Sequence, residues 1–493
     1  MDTLEKNKQS NPANSIKLAP PRRQINLPNK DIFRAYDIRG QIGREWCIDN
    51  DYHIAFLIGQ AIATQLQQKQ GVYSRQIIVG RDGRLSSPVI AEQLIKGLRS
   101  AGCAVVDLGL TATPVVYFAL QHLHIPNSVM VTGSHNPPDH NGIKIVYGLK
   151  PLAESEIKAI FHIIQKQDFV THTKYASYQQ YTRIIQAYQK ALVNNIRLKR
   201  RLKIGIDAGN GATSIFSESL FTQLGCQVSA IFCEVDGNFP NHSPDPTSPQ
   251  NLQALMKLVK QQQLDIGIAF DGDGDRIIAI DNKGNILWPD RIMMLLAQDV
   301  LKNNPGATIV YDVKCSYLLP KVIKQAGGKP SMCISGHSIL KREMLRQNAI
   351  MGGEFSGHIV MPDRWSEFDD GPYIAARLLE ILASTDVPCN EVFAQFPQTF
   401  STPEEKISFD NPRQARQALK EFIQYADFAA GRISLIDGFR IDYEDGWGLV
   451  RSSNTSSSLT LRFEANSKKR LQEIQDQFRN IFKKSKLSQK LPF

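Results

Sequence analysis

Residues 203–225 read KIGIDAGNGATSIFSESLFTQLG. A short apolar strand, KIGID, ends at the polar, glycine-rich turn AGNG, and a helical period then runs to Gly225. The same grammar occurs twice more. IIVG (77–80) leads into VIAEQLIKGLRSAG and a second strand, AVVDLGL, and TIVYDVKCSYLLPKVIKQAGG occupies 308–328. Three strand–turn–helix units starting at residues 77, 203 and 308 predict three similar α/β domains. Their sheets should be mixed but mainly parallel, covered by helices, with ligands at the carboxyl ends of the strands.

After residue 400 the pattern changes. NPRQARQALKEFIQYA is helical, GRISLIDGFRIDYEDGWGLVR reads as strands around Asp-Gly turns, and SLTLRFEA is a further strand. The tail helix KKRLQEIQDQFRNIFKK carries Leu471, Ile474, Phe478, Ile481 and Phe482 on one face. A smaller α+β domain closes the chain. Pro12, Pro20, Pro21 and Pro28 make residues 1–28 a disordered leader. Seams at THTKYASYQQ (171–180), NKGN (282–285) and QTFSTPEE (398–405) give domains over 29–178, 179–284, 285–398 and 399–493.

The bulk of the 493 residues is ordinary: 42% apolar, 22% charged, with no apolar run long enough to span a bilayer. The first residues hold no apolar targeting segment. Seven dispersed cysteines without C-x-x-C spacing argue against a disulfide framework or a zinc site, and for the cytoplasm. The net charge of +10 is confined to the ends, +4 over residues 1–30 and +6 over 466–493. A neutral body is not that of a nucleic-acid binder, and neither a nucleic-acid nor a membrane partner is expected.

Four loops carry chemistry. TGSHNPPDHNGIK (132–144) follows the apolar strand NSVMV and exposes Ser134. It lacks the G-x-S-x-G pattern of a hydrolase serine. Asn141-Gly142 is expected to turn the chain so that Lys144 returns to the serine. AFDGDGDRIIAID (269–281) sets Asp271, Asp273 and Asp275 on alternate positions between two strands, beside Arg276. Three clustered anions call for a cation, and hard oxygen ligands suit Mg²⁺. Arg276 and Asn282 stand where an EF-hand needs Gly and Glu. GGEFSGHIV (352–360) offers Glu354, Ser356 and His358 at strand spacing, suited to sugar hydroxyls. RSSNTSSSL (451–459) joins an arginine to hydroxyls and backbone amides, a phosphate cradle. Each loop alone could be a plain turn. Together they describe phosphoryl transfer on a phosphorylated polyol, without the P-loop that ATP would require.

In this order the four motifs resemble the signature loops of the α-D-phosphohexomutase family over about residues 30–465. FRAYDIRG (33–40) and DRWSEFDDGPYIAARLLEIL (363–382) are similar to its bacterial phosphomannomutase/phosphoglucomutase branch. The family's glucosamine-phosphate mutases usually carry another residue at Phe355 and an alanine at Gly133. The resemblance implies four domains around a central cleft. Ser134 would be carried as phosphoserine, with Mg²⁺ on that phosphate, Asp271, Asp273 and Asp275. A hexose 1,6-bisphosphate would serve as intermediate and activator, interconverting 1- and 6-phosphates of mannose or glucose. By the same resemblance Arg451, Ser453, Asn454 and Thr455 hold the distal phosphate, and Glu354, Ser356 and His358 read hydroxyls. Tyr36 and Arg39 lie near the reacting end, Lys314 and His337 touch the ligand, and His135 contacts the phosphate.

Lys144, Arg39 and Arg276 would stabilise charge. The general acid/base falls to His358, Lys144 or His337, which the sequence does not rank. Ser457 stands where the family usually has proline, and His140 where it often has tyrosine. Phosphorylated hexoses are the expected partners and a monomer the expected state. The rival readings are a haloacid-dehalogenase-like phosphatase with Asp271 as nucleophile, which would leave the serine loop unexplained, a phosphoglucosamine mutase, and a non-catalytic sugar-phosphate binder.

Overall fold

The computed structural model describes residues 27–46, 52–70, 75–428, 431–453, 456–484 and 491; of the expected leader only Leu27 and Pro28 lie within them. Three sheets repeat one plan. In the first, Gln76–Arg81 lies between Ala104–Leu110 and Ser128–Val131, parallel to both, and His140–Tyr147 runs antiparallel beyond. In the second, Lys203–Asp207 lies between Gln227–Ile231 and Ile266–Phe270, with Ile277–Asp281 antiparallel beyond. In the third, Thr308–Asp312 lies between Lys329–Cys333 and Met351–Gly353, with Ile359–Val360 antiparallel beyond.

Parallel neighbours require crossover connections, which the helices Ser87–Ser100, Ser217–Gln223 and Leu319–Gln325 supply. Helices on both faces explain why Ile77, Ile78 and Val79 are all fully buried in succession. The plan has one consequence for chemistry. In every unit the third and fourth strands form a hairpin at the carboxyl end of the parallel strands, spanning residues 132–139, 271–276 and 354–358.

One sequence expectation changes here. Asn141 and Gly142 do not turn the chain; they lie in the strand His140–Tyr147, opposite Gly40 and Arg39 of Ile38–Gln41. The glycine answers close approach, since a Cβ on Gly142 would sit 2.3 Å from the Ile38 carbonyl oxygen. The expected linker at 171–180 ends as the edge strand Tyr178–Gln180, parallel to Ala104–Leu110. NKGN forms a tight turn, because Ile286–Leu287 still pairs with Ile277–Asp281 in the second sheet.

The fourth sheet is antiparallel, in the order Phe400–Ser401, Ser458–Ala465, Gly446–Ser452, Phe439–Asp442, Arg432–Ser434, with Glu405–Ser408 also on Ser458–Ala465. Helices Pro412–Tyr425 and Lys468–Lys484 pack on it. Phe422 meets Phe478 and Phe482 with ring centroids at 5.3 and 4.7 Å. Each such buried ring contributes about 1.5–3 kcal/mol relative to exposure. One apolar core runs through the first three units, joining Val116, Phe270 and Tyr373. The fourth sheet is fastened to the third unit by polar contacts: Arg440 Nη1 donates to Cys315 O at 2.9 Å, and Ser316 Oγ to Glu464 Oε1 at 2.8 Å. Among the described residues no helix is long and apolar enough to cross a membrane.

Candidate active site

The three hairpins, equivalent in the repeat, converge on one place, and Arg451 and Ser453 of the fourth domain line the same cleft. A strand-end aspartate supports two of them. Asp82 Oδ2 accepts from Thr132 Oγ1 at 2.8 Å and Gly133 N at 3.1 Å, while Asp312 Oδ1 accepts from Phe355 N at 3.1 Å.

Ser134 is not exposed as its loop suggested but buried, 2% exposed under the packed hairpins. It holds φ +48°, a left-handed backbone conformation that a non-glycine residue keeps only when its surroundings enforce it. Its Oγ donates to Asp271 Oδ2 at 2.9 Å and lies 3.3 Å from His135 Nδ1. Arg39 Nη1 donates to Gly133 O at 2.9 Å and Asn136 Oδ1 at 3.3 Å. Burial and then the charges of Arg276 and Arg39 push His135 well below the usual imidazole range.

Asp271, Asp273 and Asp275 are each 0% exposed, with carboxylate oxygens within 4.8 Å of one another. Lys144 reaches them from its strand, with Nζ 2.6 Å from Asp273 Oδ2 and 2.5 Å from Asp275 Oδ2. Thr113, at the start of helix Thr113–His122, donates its hydroxyl to Asp273 at 2.5 Å. Arg276 Nε lies 3.7 Å from Asp271 Oδ2. Two cations thus face three carboxylates. Burial and the repulsion of its two neighbours raise Asp271 well above the usual carboxyl range. Burial acts the same way on Asp273, but Lys144 and Thr113 outweigh it and hold that group low. Burial opposes the Lys144 charge, yet Asp273 and Asp275 hold its ammonium well above the usual lysine range. Among the described residues Asp273 Oδ1 and Asp275 Oδ1 are buried without a hydrogen-bond partner, although His358 Nδ1 lies 3.6 Å from Asp275 Oδ1. Buried anionic oxygens left over in an all-oxygen cluster fit a hard divalent cation.

Glu354, Ser356 and His358 do not lie in a strand as their spacing suggested. They form a tight turn closed by Glu354 N donating to His358 O at 2.9 Å, with Gly357 at φ +103°. Glu354 and His358 are buried at the cleft and Ser356 is half-buried. His358 Nε2 accepts from Arg276 Nε at 2.9 Å, and Nδ1 lies 2.8 Å from Asp369 Oδ2. These contacts select the tautomer with hydrogen on Nδ1. Lys341, itself 3% exposed, is paired with Asp369 from behind. His337 stacks on His358 at 5.2 Å and meets the Tyr36 ring edge-on at 6.0 Å. Burial, then the Lys341 charge, keeps His337 well below the usual imidazole range.

Lys314 Nζ donates to Glu404 Oε1 at 2.7 Å; burial works against its charge, but Glu404, Asp312 and Glu354 push it up to about 12. Across the cleft Arg451 Nε donates to Asp437 Oδ2 at 2.8 Å, and its Nη2 is buried without a partner among the described residues. Asn454 and Thr455 lie outside the described residues; Ser453 lines the cleft, and the Ser457 carbonyl accepts from Phe409 N at 2.8 Å.

The cleft encloses about 600 Å³, lined by Tyr36, His135, Arg276, Lys314, His337, Glu354, Ser356, His358, Arg451 and Ser453. Ser134, Lys144, Arg39 and the three aspartates are buried and fall outside that lining. The sequence reading missed the loop residues Asp245, Thr247 and Ser248, the rings of Trp288 and Phe355, and Glu404, all of which line the cleft. It also missed Asp369 and Lys341 behind His358. Only the loop gave a signal, in the turn-forming run SPDPTSP.

Four family models match the chain in succession. They are described as phosphoglucomutase/phosphomannomutase alpha/beta/alpha domain I (residues 30–171), domain II (180–284), domain III (288–400) and C-terminal domain (404–481). The chain is 46% identical to a phosphomannomutase/phosphoglucomutase of Pseudomonas putida over 95% of its length and 98% of the relative's. It is 44% identical to a phosphoglucomutase of Neisseria gonorrhoeae, over 92% of this chain and 96% of that one. A crystal structure of a phosphoglucomutase/phosphomannomutase family protein from Burkholderia thailandensis superposes with a TM-score of 0.87 at 41% identity, covering 95% of this chain and 100% of that one.

Proposed function

The chain belongs to the phosphoglucomutase/phosphomannomutase family, and from that premise we propose that this phosphohexomutase exchanges phosphoryl groups through Ser134. Hexose 1-phosphates and 6-phosphates interconvert, with mannose and glucose phosphates both as substrates. The observation that carries the reading is the 2.9 Å contact of Ser134 Oγ with Asp271, buried behind His135 and Arg276, which line a cleft that also holds Arg451.

The substrate's own phosphate rests on Arg451 and the 453–457 loop, and Glu354 and Ser356 accept its hydroxyls. Its free hydroxyl attacks the phosphorus on Ser134. The new P–O bond forms as the bond to Ser134 Oγ breaks, and Oγ leaves with the electron pair. The hydroxyl proton passes to His358 Nε2, where the substrate oxygen replaces Arg276 as hydrogen-bond partner. Lys144 is locked as a cation between two aspartates, so it offsets charge instead of accepting the proton. Arg39 and the released Arg276 add to that field. A divalent cation on Asp271, Asp273, Asp275 and the Ser134 phosphate, which we assign as Mg²⁺, supplies further positive charge when bound. The hexose 1,6-bisphosphate then turns in the cleft and returns its other phosphate to Ser134. The same bisphosphate, added free, loads the serine.

We assign the enzyme to the cytoplasm as a monomer without nucleic-acid or membrane partners; the neutral body of the chain and the six described cysteines, all free thiols, support this. Assays with mannose 1-phosphate and glucose 1-phosphate test the function. Both should yield 6-phosphates, with a lag that trace hexose 1,6-bisphosphate removes. Release of inorganic phosphate instead would identify a phosphatase.

A further inference from the structure

The serine loop is held by a buried cation that belongs to none of the four motifs. Arg84 follows the strand Gln76–Arg81 and is 1% exposed. Its Nη2 donates to Ser134 O at 2.7 Å and Asn136 O at 2.6 Å, and its Nη1 to His140 O at 3.0 Å and to Pro137 O. Its Nε meets Asp82 Oδ2 at 3.2 Å. Asp82 grips the start of the same loop through Thr132 and Gly133, and Thr132 Oγ1 accepts from Ser134 N at 2.8 Å.

The local sequence explains why an arginine stands there. Pro137 and Pro138 have no N–H to donate within the loop; the Pro137 carbonyl accepts from His140 N at 3.1 Å, and the Asn136 carbonyl takes its hydrogen bond from Arg84. A planar guanidinium with five donors spans four carbonyls; an ammonium, with three donors on one atom, does not. Gly133 fits the same picture, since a Cβ there would lie 2.4 Å from Arg84 Nε. The left-handed φ of Ser134 is thus over-determined on its carbonyl side by Arg84 and on its amide side by Thr132.

We propose that Arg84 is a positioning residue for phosphoryl transfer. Its guanidinium holds the 134–140 backbone in the one conformation that presents Ser134 Oγ to Asp271 and the cleft, and Thr132 completes the hold. The repeat adds support. Arg84 stands two residues after Asp82 as Lys314 stands two after Asp312, and both aspartates anchor the hairpin of their own unit. In the third unit the cation lines the cleft; in the first it lies beneath the loop. The inference rests on the reading of Ser134 as phosphoryl carrier.

Arg84→Lys and Thr132→Val test it, the first removing the fork and the second the hydroxyl's two contacts, with Asp82 and with Ser134 N, without change of charge. Each variant is loaded with hexose 1,6-bisphosphate, then assayed for steady-state turnover, single-turnover transfer to hexose 1-phosphate, and thermal midpoint. Both should take up one phosphoryl group. kcat and the single-turnover rate should fall together by about 10- to 100-fold. KM should stay within about threefold, and the phosphoserine ³¹P resonance should shift or broaden. Wild-type transfer rates in folded Arg84→Lys overturn the proposal. So does a kcat loss matched by a lost folded fraction. If Arg84→Lys does not fold, Thr132→Val decides alone, and wild-type turnover there overturns it. A Ser134→Ala control separates the two ideas, because phosphoryl uptake by that variant would defeat the carrier reading itself.

Discussion

Ser134 Oγ and Asp271 Oδ2 lie 2.9 Å apart although 137 positions separate the residues in the chain. The contact follows from the repeated topology, because each residue occupies the third-to-fourth hairpin of its unit. Superimposing one plan on three units brings Ser134, the three aspartates and the Glu354–His358 turn together beside one cleft.

Lys144 sits between Asp273 and Asp275, where it competes for charge with any cation the cluster takes. Lys144→Met should tighten Mg²⁺ binding measured by titration calorimetry while lowering kcat by at least about 100-fold, since a fixed charge near the transferring group is lost. Weaker metal binding in this variant would contradict the assignment.

Asp369 Oδ2 lies 2.8 Å from His358 Nδ1, the nitrogen that carries hydrogen when Nε2 accepts from Arg276. Asp369→Asn should lower kcat by about 10²–10⁴-fold, the range expected when a base loses its orienting carboxylate, with little change in KM. Steady-state kinetics on the metal-saturated enzyme checks this.

Arg451 contacts no reacting atom in the proposed mechanism. Arg451→Ala should raise KM by about 10- to 150-fold, the loss of a charged hydrogen bond worth about 1.5–3 kcal/mol, with a smaller effect on kcat. An equal fall in kcat at unchanged KM would move Arg451 to the reacting end.

His242 Nε2 lies 3.1 Å from Asp207 Oδ2, and although burial opposes its charge, Asp207 raises its pKa. A raised folded pKa means that this contribution is fully present below the unfolded value, about 6.5, and is lost as pH rises through the folded one. His242→Gln should therefore lower the thermal midpoint more at pH 5.5 than at pH 8.5. Equal deficits at both pH values would show that the pair contributes no charge-dependent stability.

Much of this organisation was legible in residues 203–225 and their two echoes, because strand, turn and helix periods are local properties. The aspartate triplet was legible for the same reason, with alternate glycines between two apolar strands. Asn141-Gly142 misled because a glycine chosen for strand approach has the same spelling as a turn. Glu354 and His358 misled because alternate spacing suits a strand and a tight turn alike. Arg84, Asp369 and Lys341 were hidden because their roles depend on partners 11 to 56 positions away. The strand-end aspartates Asp82, Asp207 and Asp312 recur in all three units and mark the position where such partners gather.

The central claim is that Ser134 carries the phosphoryl group. The direct measurement is intact mass with peptide mapping after exposure to hexose 1,6-bisphosphate, for the wild-type chain and for Ser134→Ala. The wild type should gain one phosphoryl group on Ser134 and lose it to hexose 1-phosphate, while Ser134→Ala gains none, still binds hexose phosphate and does not turn over. A phosphoryl group mapped elsewhere, or full turnover by Ser134→Ala, would contradict the account.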